Sequence, residues 1–217
     1  MYKLYGFAQS GNTYKVAMML QALRQPWEAV HVPFGEFVSG LTRSDAWRQE
    51  VNPMGEVPVL QEADGRRFTQ SGAILTRLAR KHGAFGGATE DEQDEVLRWI
   101  LFDNHKFTSY FATYRFMKSF GPVEPDPAVE KFLLGRIEAA FGIVDKHLAT
   151  REWMVGDGPT IADFSLSGYM FYPVEEGGID VAARWPHIGA WIGRLKRVPG
   201  WVSPYEAMPG ERIAPKW

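Results

Sequence analysis

The chain of 217 residues contains no cysteine. That absence excludes disulfide bonds, thiolate metal sites and every mechanism with a protein thiol as nucleophile, so any thiol chemistry must come from a bound ligand. Excess charge is also scarce: 24 Lys and Arg against 26 Asp and Glu leave a formal net charge of −2. Nucleic acid is therefore not an expected partner, because neutralising phosphates takes clustered cations. The short basic patches Arg66-Arg67 and Arg194, Lys196, Arg197 read as solvated faces. No apolar run approaches the roughly 20 residues of a membrane span. The opening Met1-Tyr2-Lys3-Leu4-Tyr5 lacks the apolar core of a signal peptide. A soluble, cytoplasmic protein with no membrane partner is expected. The five histidines, His31, His82, His105, His147 and His187, show no metal-binding spacing, so no metal site is expected.

What is present suits a substantial core: 45% of the residues are hydrophobic, enough for one large or two small domains. Residues 2–7 read as a first strand. Val16, Met19, Leu20 and Leu23 recur at helical spacing in a helix that begins near Ser10 to Asn12. Val30 to Phe34 reads as a second strand near a sheet edge, and Leu41 to Val51 as a short helix. Val57 to Leu60 and Arg67 to Thr69 form two strands around the Ala63-Asp64-Gly65 turn, before a helix over Ser71 to Lys81. Gly83 to Ala88 reads as a linker, after which strand signals largely vanish. A long helix is expected over Glu90 to Lys118, broken by Gly121-Pro122. Asp126-Pro127 offers an N-cap with proline at the first helical position, starting a helix to about Ala149. Further helices are expected from Thr160 and over Trp185 to Val198. The Pro- and charge-rich tail, Pro209 to Trp217, suits a surface-wrapping segment.

Two stretches carry the chemistry. In Asn52-Pro53-Met54-Gly55-Glu56-Val57-Pro58-Val59-Leu60 a proline stands where an apolar strand begins. Lacking an N–H, Pro58 belongs at a strand start, and its peptide bond to Val57 is a candidate for cis. The backbone of Val57 would then be free to pair with an extended peptide. In Gln70-Ser71-Gly72-Ala73-Ile74 a polar pair precedes an apolar helical run. Unpaired N–H groups and the positive end of the helix dipole at such a start suit a carboxylate. Together they describe a site for a small acidic peptide.

With Ser10-Gly11-Asn12 after the first strand and Gly156-Asp157-Gly158-Pro159-Thr160-Ile161-Ala162-Asp163 late in the chain, these motifs resemble the cytosolic glutathione transferases over nearly the whole length. The resemblance implies an α/β thioredoxin-like N-terminal domain, residues 1–82, followed by an all-α helical domain, residues 89–217, that carries the electrophile pocket. It implies glutathione as co-substrate, no tightly bound cofactor, an apolar electrophilic small molecule as second substrate, and a homodimer. Branches of the superfamily that use a cysteine near position 10 are ruled out as mechanistic models.

Within the resemblance, Ser10 falls where the serine-type classes carry their catalytic serine. A hydroxyl before a helix N-terminus can donate to a thiolate while the dipole adds positive potential. A glutathione thiol with pKa about 8.5 needs roughly 2.7 kcal/mol to drop by about two units, and a charge-assisted hydrogen bond contributes about 1.5–3 kcal/mol. The alternative is that Ser10 is only a helix cap. Asn12 is the second candidate for the sulfur, and Tyr5 matches the tyrosine-type position but reads more simply as a core or rim aromatic. For glutathione binding the resemblance nominates Val57 and Pro58 for the cysteinyl unit and Gln70 and Ser71 for the γ-glutamyl carboxylate. Arg43 is nominated for the glycyl carboxylate and Asp103 for the ammonium across a dimer interface. Relatives resemble Glu-Ser where this chain has Gln70-Ser71, so a second acid is needed or affinity falls. Arg43 and Asp103 read equally as ordinary helix charges.

Phe107, Tyr110, Phe111 and Tyr114 share one helical face. They serve either as domain core or, with Phe7, Ala8 and Gln9 opposite, as an apolar pocket. Thr160 and Asp163 form a capping box, a structural role rather than an acid catalyst's. The expected function is a glutathione transferase. Its alternatives are a glutathione-dependent disulfide or peroxide reductase using two glutathione molecules, and a non-catalytic binding or interaction module.

Overall fold

The computed structural model describes residues 1–35, 40–212 and 214–216. The first half is a four-stranded sheet in the order β2-β1-β3-β4. Its strands are β1 (Tyr2–Gly6), β2 (Trp27–His31), β3 (Val59–Gln61) and β4 (Arg67–Thr69). β1 runs parallel to β2, which requires a crossover, supplied by α1 (Gly11–Ala22); β3 and β4 are antiparallel. α2 (Gly40–Arg43) and α3 (Asp45–Glu50) precede β3, and α4 (Ser71–His82) follows β4. This is the thioredoxin-like arrangement that the motif order implies.

The second half is helical: α5 (Glu90–Phe102), a π-helical turn (Asp103–Phe107), α6 (Thr108–Ser119), α7 (Pro127–Leu148), α8 (Ile161–Leu166), a 3₁₀ turn (Ser167–Tyr169), α9 (Val174–Gly177), α10 (Val181–Arg184), α11 (Pro186–Leu195) and α12 (Pro204–Ala207). One continuous apolar core joins the halves, with Leu4, Leu20 and Ile74 in the same cluster as Phe141, Phe164 and Trp191.

Several boundaries differ from the sequence reading. β2 lies three residues earlier, because Pro33 cannot donate to the sheet; the ladder closes where Val32 N–H meets the Gly6 carbonyl at 2.9 Å. The helix over 41–51 divides at Ser44, whose hydroxyl caps α3 by accepting from Trp47 N–H at 3.2 Å. β3 starts at Val59, after a cis Val57–Pro58 peptide. The long helix over 90–118 is interrupted by the π turn, which keeps Ile100 and Phe107 inward while admitting the carboxylate of Asp103 to the interior. Asp126 caps α7 from 2.7 Å, with Pro127 in the first turn. At α8 the Thr160–Asp163 box closes in both directions; the same Asp163 accepts from Met154 N–H at 2.9 Å and Trp191 Nε1–H at 2.8 Å.

Candidate functional site

Residues 7–10 turn the chain from β1 into α1, and Ser10 N–H closes that turn on the Phe7 carbonyl at 3.1 Å. Ser10 caps α1 in extended conformation, its Oγ accepting from Thr13 N–H at 3.1 Å. The cap alternative is therefore realised, but accepting does not use the hydroxyl hydrogen, which has no acceptor among the described residues. The side chain is 7% exposed, and no acidic residue stands in the first turn of α1 to cancel its positive end. Gly11 fixes that turn against the helical half: a Cβ there would lie 2.5 Å from the Tyr169 ring and 2.6 Å from the Gly168 carbonyl oxygen.

Two residues along, the carboxamide oxygen of Asn12 accepts from Ser71 Oγ at 3.4 Å, which brings the two polar motifs together at the adjoining N-termini of α1 and α4. Gln70 precedes α4 with φ of 65° and makes no cap with its side chain. Instead its amide donates to the Glu56 carboxylate at 3.1 Å and reaches Met54 Sδ at the same distance. Asn52 builds the turn that presents Glu56, donating to the Glu56 carbonyl at 2.9 Å and accepting from Met54 N–H at 3.0 Å. Neither backbone group of half-buried Val57 has a partner among the described residues. Pro58 is buried behind it. Arg43 ends α2, which lies against the same turn: a Cβ on Gly55 would lie 3.0 Å from the Thr42 carbonyl oxygen.

Other nominated residues fall elsewhere. Asp103 is fully buried, held by Lys15 Nζ at 2.7 Å and Ser165 Oγ at 2.7 Å. The π turn carries its carboxylate inward, away from solvent. Phe107, fully buried, stacks on Phe141 at 4.1 Å between ring centres, and Phe111 packs on the same ring. Tyr114 is also buried, its hydroxyl 3.4 Å from Glu130. These three rings are core, while Tyr110 is half-buried at its edge. The Tyr5 hydroxyl is turned away, donating to Gln61 at 3.0 Å.

Beside Ser10, Phe7, Ala8 and Gln9 meet residues that no local motif marks. Phe34 bridges Phe7 at 4.9 Å and Phe120 at 5.4 Å. Tyr172 donates to the Ala8 carbonyl at 2.6 Å, and Arg115 donates to the Gln9 carbonyl at 3.0 Å. The tail crosses here: the Pro209 carbonyl accepts from Ala8 N–H at 3.1 Å, and the Gln9 side chain, 4% exposed, donates to the Glu211 carbonyl. Gln9 is thus covered by the chain's own tail. Of the tail, Ile213 and Trp217 lie outside the described residues. A separate cavity of about 210 Å³ borders Arg115, lined in part by Phe111, Tyr169, Tyr172, Gly177 and Ile179. Burial raises the Tyr169 phenol pKa, opposed by Arg115 and by the N–H groups of Asn12 and Gly11. One signal pointed here: an arginine, Arg115, inside an aromatic helical face.

This geometry, an uncommitted backbone edge beside two helix N-termini and a hydroxyl with a free hydrogen, suits a small peptide bearing a carboxylate and a thiol. Comparison with known proteins agrees. Residues 4–87 match the family model for the glutathione S-transferase N-terminal domain, and residues 106–199 that for the C-terminal domain. A glutathione S-transferase from Pseudomonas fluorescens is 33% identical in its crystal structure, with a TM-score of 0.82, over 94% of this chain and 98% of that one. The glutathione S-transferase-like protein OpS6 of Beauveria bassiana is 26% identical, covering 91% of each chain. The disulfide-bond oxidoreductase YghU of Escherichia coli is 28% identical over 94% of this chain and 69% of its own length. The chain belongs to the glutathione S-transferase family.

Proposed function

We propose that the protein is a glutathione transferase in which Ser10 stabilises the thiolate of bound glutathione for attack on an electrophilic small molecule. The observation that carries this reading is the Ser10 hydroxyl: it belongs to a buried residue at the positive end of α1, and its hydrogen has no acceptor among the described residues. A donor placed there strengthens when the sulfur becomes negative, so it favours thiolate over thiol. Asn12, whose amide hydrogens also lack a partner among the described residues, is the second donor for the same sulfur. Val57 pairs with the cysteinyl backbone, and Ser71 with the α4 N-terminus takes the γ-glutamyl carboxylate. Gln70 cannot supply the charge that the ligand's ammonium requires. Glu56, held by the Gln70 amide at 3.1 Å, supplies it. Arg43 serves the glycyl carboxylate.

The electrophile lies beside Phe7, Phe34 and Phe120, next to the stretch where the tail covers Gln9, and attack gains from proximity of two bound reactants. Leu97 and Leu101, exposed on α5 beside the α4 face, suit burial in a homodimer, and the cytoplasm supplies the reduced glutathione the reaction consumes.

The resemblance to YghU favours a second reading, reduction of glutathione-capped disulfides. With no cysteine in the chain, the Ser10-held thiolate attacks the glutathione sulfur of the mixed disulfide. Oxidised glutathione forms, and the released thiolate takes up a proton. Parallel turnover assays with an activated chloronitroarene and with a glutathione-capped disulfide separate the two. Conjugation abolished in Ser10→Ala supports the transferase. Disulfide turnover alone assigns the reductase, and glutathione binding without either reaction contradicts both.

A further inference from the structure

The turn that delivers Ser10 is fastened from the opposite half of the chain. Ala8 and Gln9 are its central residues, and both of their carbonyl groups are engaged: Ala8 by the Tyr172 hydroxyl at 2.6 Å, Gln9 by Arg115 at 3.0 Å. We propose that Arg115, together with Tyr172, is the positioning residue for Ser10, holding this turn with its carbonyl groups directed away from the sulfur and the Ser10 hydroxyl directed at it. The proposal rests on the reading of Ser10 as the group that stabilises the thiolate.

A peptide unit is planar, so fixing the Gln9 carbonyl also fixes the N–H of Ser10 at the other end of the same unit. That N–H closes the turn on Phe7 at 3.1 Å and sets the direction in which the chain enters α1. With its carbonyl groups released, a four-residue turn can rotate its central peptide, here Ala8–Gln9, between the common turn types, and the flanking Gln9–Ser10 peptide turns with it. Such a rotation exchanges the carbonyl and N–H ends of a peptide and so changes the dipole presented beside the start of α1, where a carbonyl oxygen would oppose thiolate formation. The helical half removes that freedom.

Arg115 is built for a fixed direction. It is 3% exposed and pairs with Glu176, which is fully buried. Glu176 is held in turn by the Tyr205 hydroxyl at 2.9 Å, and its carbonyl accepts from Ser119. The guanidinium lies 4.0 Å from the centre of the Tyr172 ring and 4.9 Å from that of Phe120, so aromatic faces restrict its swing. A planar guanidinium can meet the Gln9 carbonyl with one nitrogen and the Glu176 carboxylate with another, an arrangement lysine cannot reproduce fully. Burial drives the Tyr172 phenol pKa well above its ordinary value, so the hydroxyl remains a donor to Ala8 at every working pH.

An arginine that merely joined the two halves would affect stability and leave the thiol alone. The deciding measurement is the ultraviolet thiolate absorbance of glutathione bound to the full chain, followed against pH. It compares wild type, Arg115→Lys, the double variant Arg115→Gln/Glu176→Gln, which leaves no buried carboxylate bare, and Tyr172→Phe. In the double variant the thiol pKa is expected to rise by about one unit, a roughly tenfold loss of thiolate near neutral pH. kcat falls in proportion and recovers at higher pH, while KM for glutathione stays within about twofold, as for an interaction lost only at the reacting atom. Tyr172→Phe shifts the pKa in the same direction by less, and Arg115→Lys lies between wild type and the double variant. Folded, glutathione-saturated variants that titrate like wild type overturn the proposal. Should the double variant fail to fold, Tyr172→Phe, which removes a single oxygen, decides by the same criterion. An unperturbed thiol in wild type overturns the Ser10 reading and this proposal with it; a depressed pKa in wild type that no variant moves overturns this proposal alone.

Discussion

Lys15 Nζ lies 2.7 Å from Asp103 Oδ2, and both side chains are shut off from solvent. The pair ties α1, the helix that carries Ser10 at its start, to the π turn of the long helix. Two charges removed from water are held there by each other and by the hydroxyl groups of Thr108 and Ser165, at 3.3 and 2.7 Å. Removing one charge leaves the other buried without its partner, which costs about 3–5 kcal/mol.

Asp103→Ala is therefore expected to lower stability by about that amount in urea unfolding, with glutathione affinity of the remaining folded protein unchanged. The double variant Lys15→Met/Asp103→Leu recovers most of the loss. A weakened glutathione affinity in a stably folded Asp103→Asn variant would restore the ligand role that the burial of Asp103 argues against.

Glu56 provides a test of how this chain binds the γ-glutamyl end. Its carboxylate is tethered by Gln70 at 3.1 Å. Glu56→Gln is expected to weaken glutathione about tenfold, equivalent to roughly 1.4 kcal/mol, as read by calorimetric titration. Gln70→Glu places a second negative charge beside Glu56 and is expected not to improve affinity. An affinity unchanged in Glu56→Gln assigns the ammonium to another group.

Acid stability follows from Glu62. Hydrogen bonds from Arg77 hold its pKa below the ordinary carboxylate range, with burial opposing and Lys81 adding to the effect. An acid whose pKa is depressed by folding stabilises the native state in full above its unfolded value, about 4.3 for glutamate. That contribution is lost as the pH falls through the depressed folded value. Wild type should accordingly lose stability more steeply than Glu62→Gln between about pH 5 and pH 3, measured as urea midpoints across that range. Parallel curves for the two proteins would show that Glu62 contributes nothing to the acid limb.

The sequence made the backbone of this site legible because its signals are local. Pro58 immediately ahead of a strand, Ser10 before a helical run and the Thr160–Asp163 box each depend on neighbours within a few residues, and the structure shows all three. The walls were not legible, because they depend on where distant segments meet. Tyr172 and Ala8 are separated by 164 positions, and nothing local to either marks the contact. The burial of Asp103 is hidden from the sequence for a related reason. A regular helix through residue 103 leaves it an ordinary helix charge, and the π turn that buries it answers to Lys15 and Ser165 on other helices. The aromatic face at Phe107 and Phe111 fits both core and pocket in the sequence; both rings pack on Phe141, from a helix beyond the Gly121 break, and Phe111 also lines the cavity bordering Arg115.

The central claim is that the Ser10 hydroxyl stabilises the glutathione thiolate. The most direct measurement is the thiolate absorbance of bound glutathione against pH in wild type, Ser10→Ala and Asn12→Ala. Wild type is expected to hold the thiol about two units below its free value of about 8.5. In Ser10→Ala the pKa returns towards the free value, alongside the loss of about 1 kcal/mol from the missing α1 cap. A depression that persists in Ser10→Ala and disappears only in Asn12→Ala, or a wild-type thiol that titrates like free glutathione at saturation, would contradict the claim.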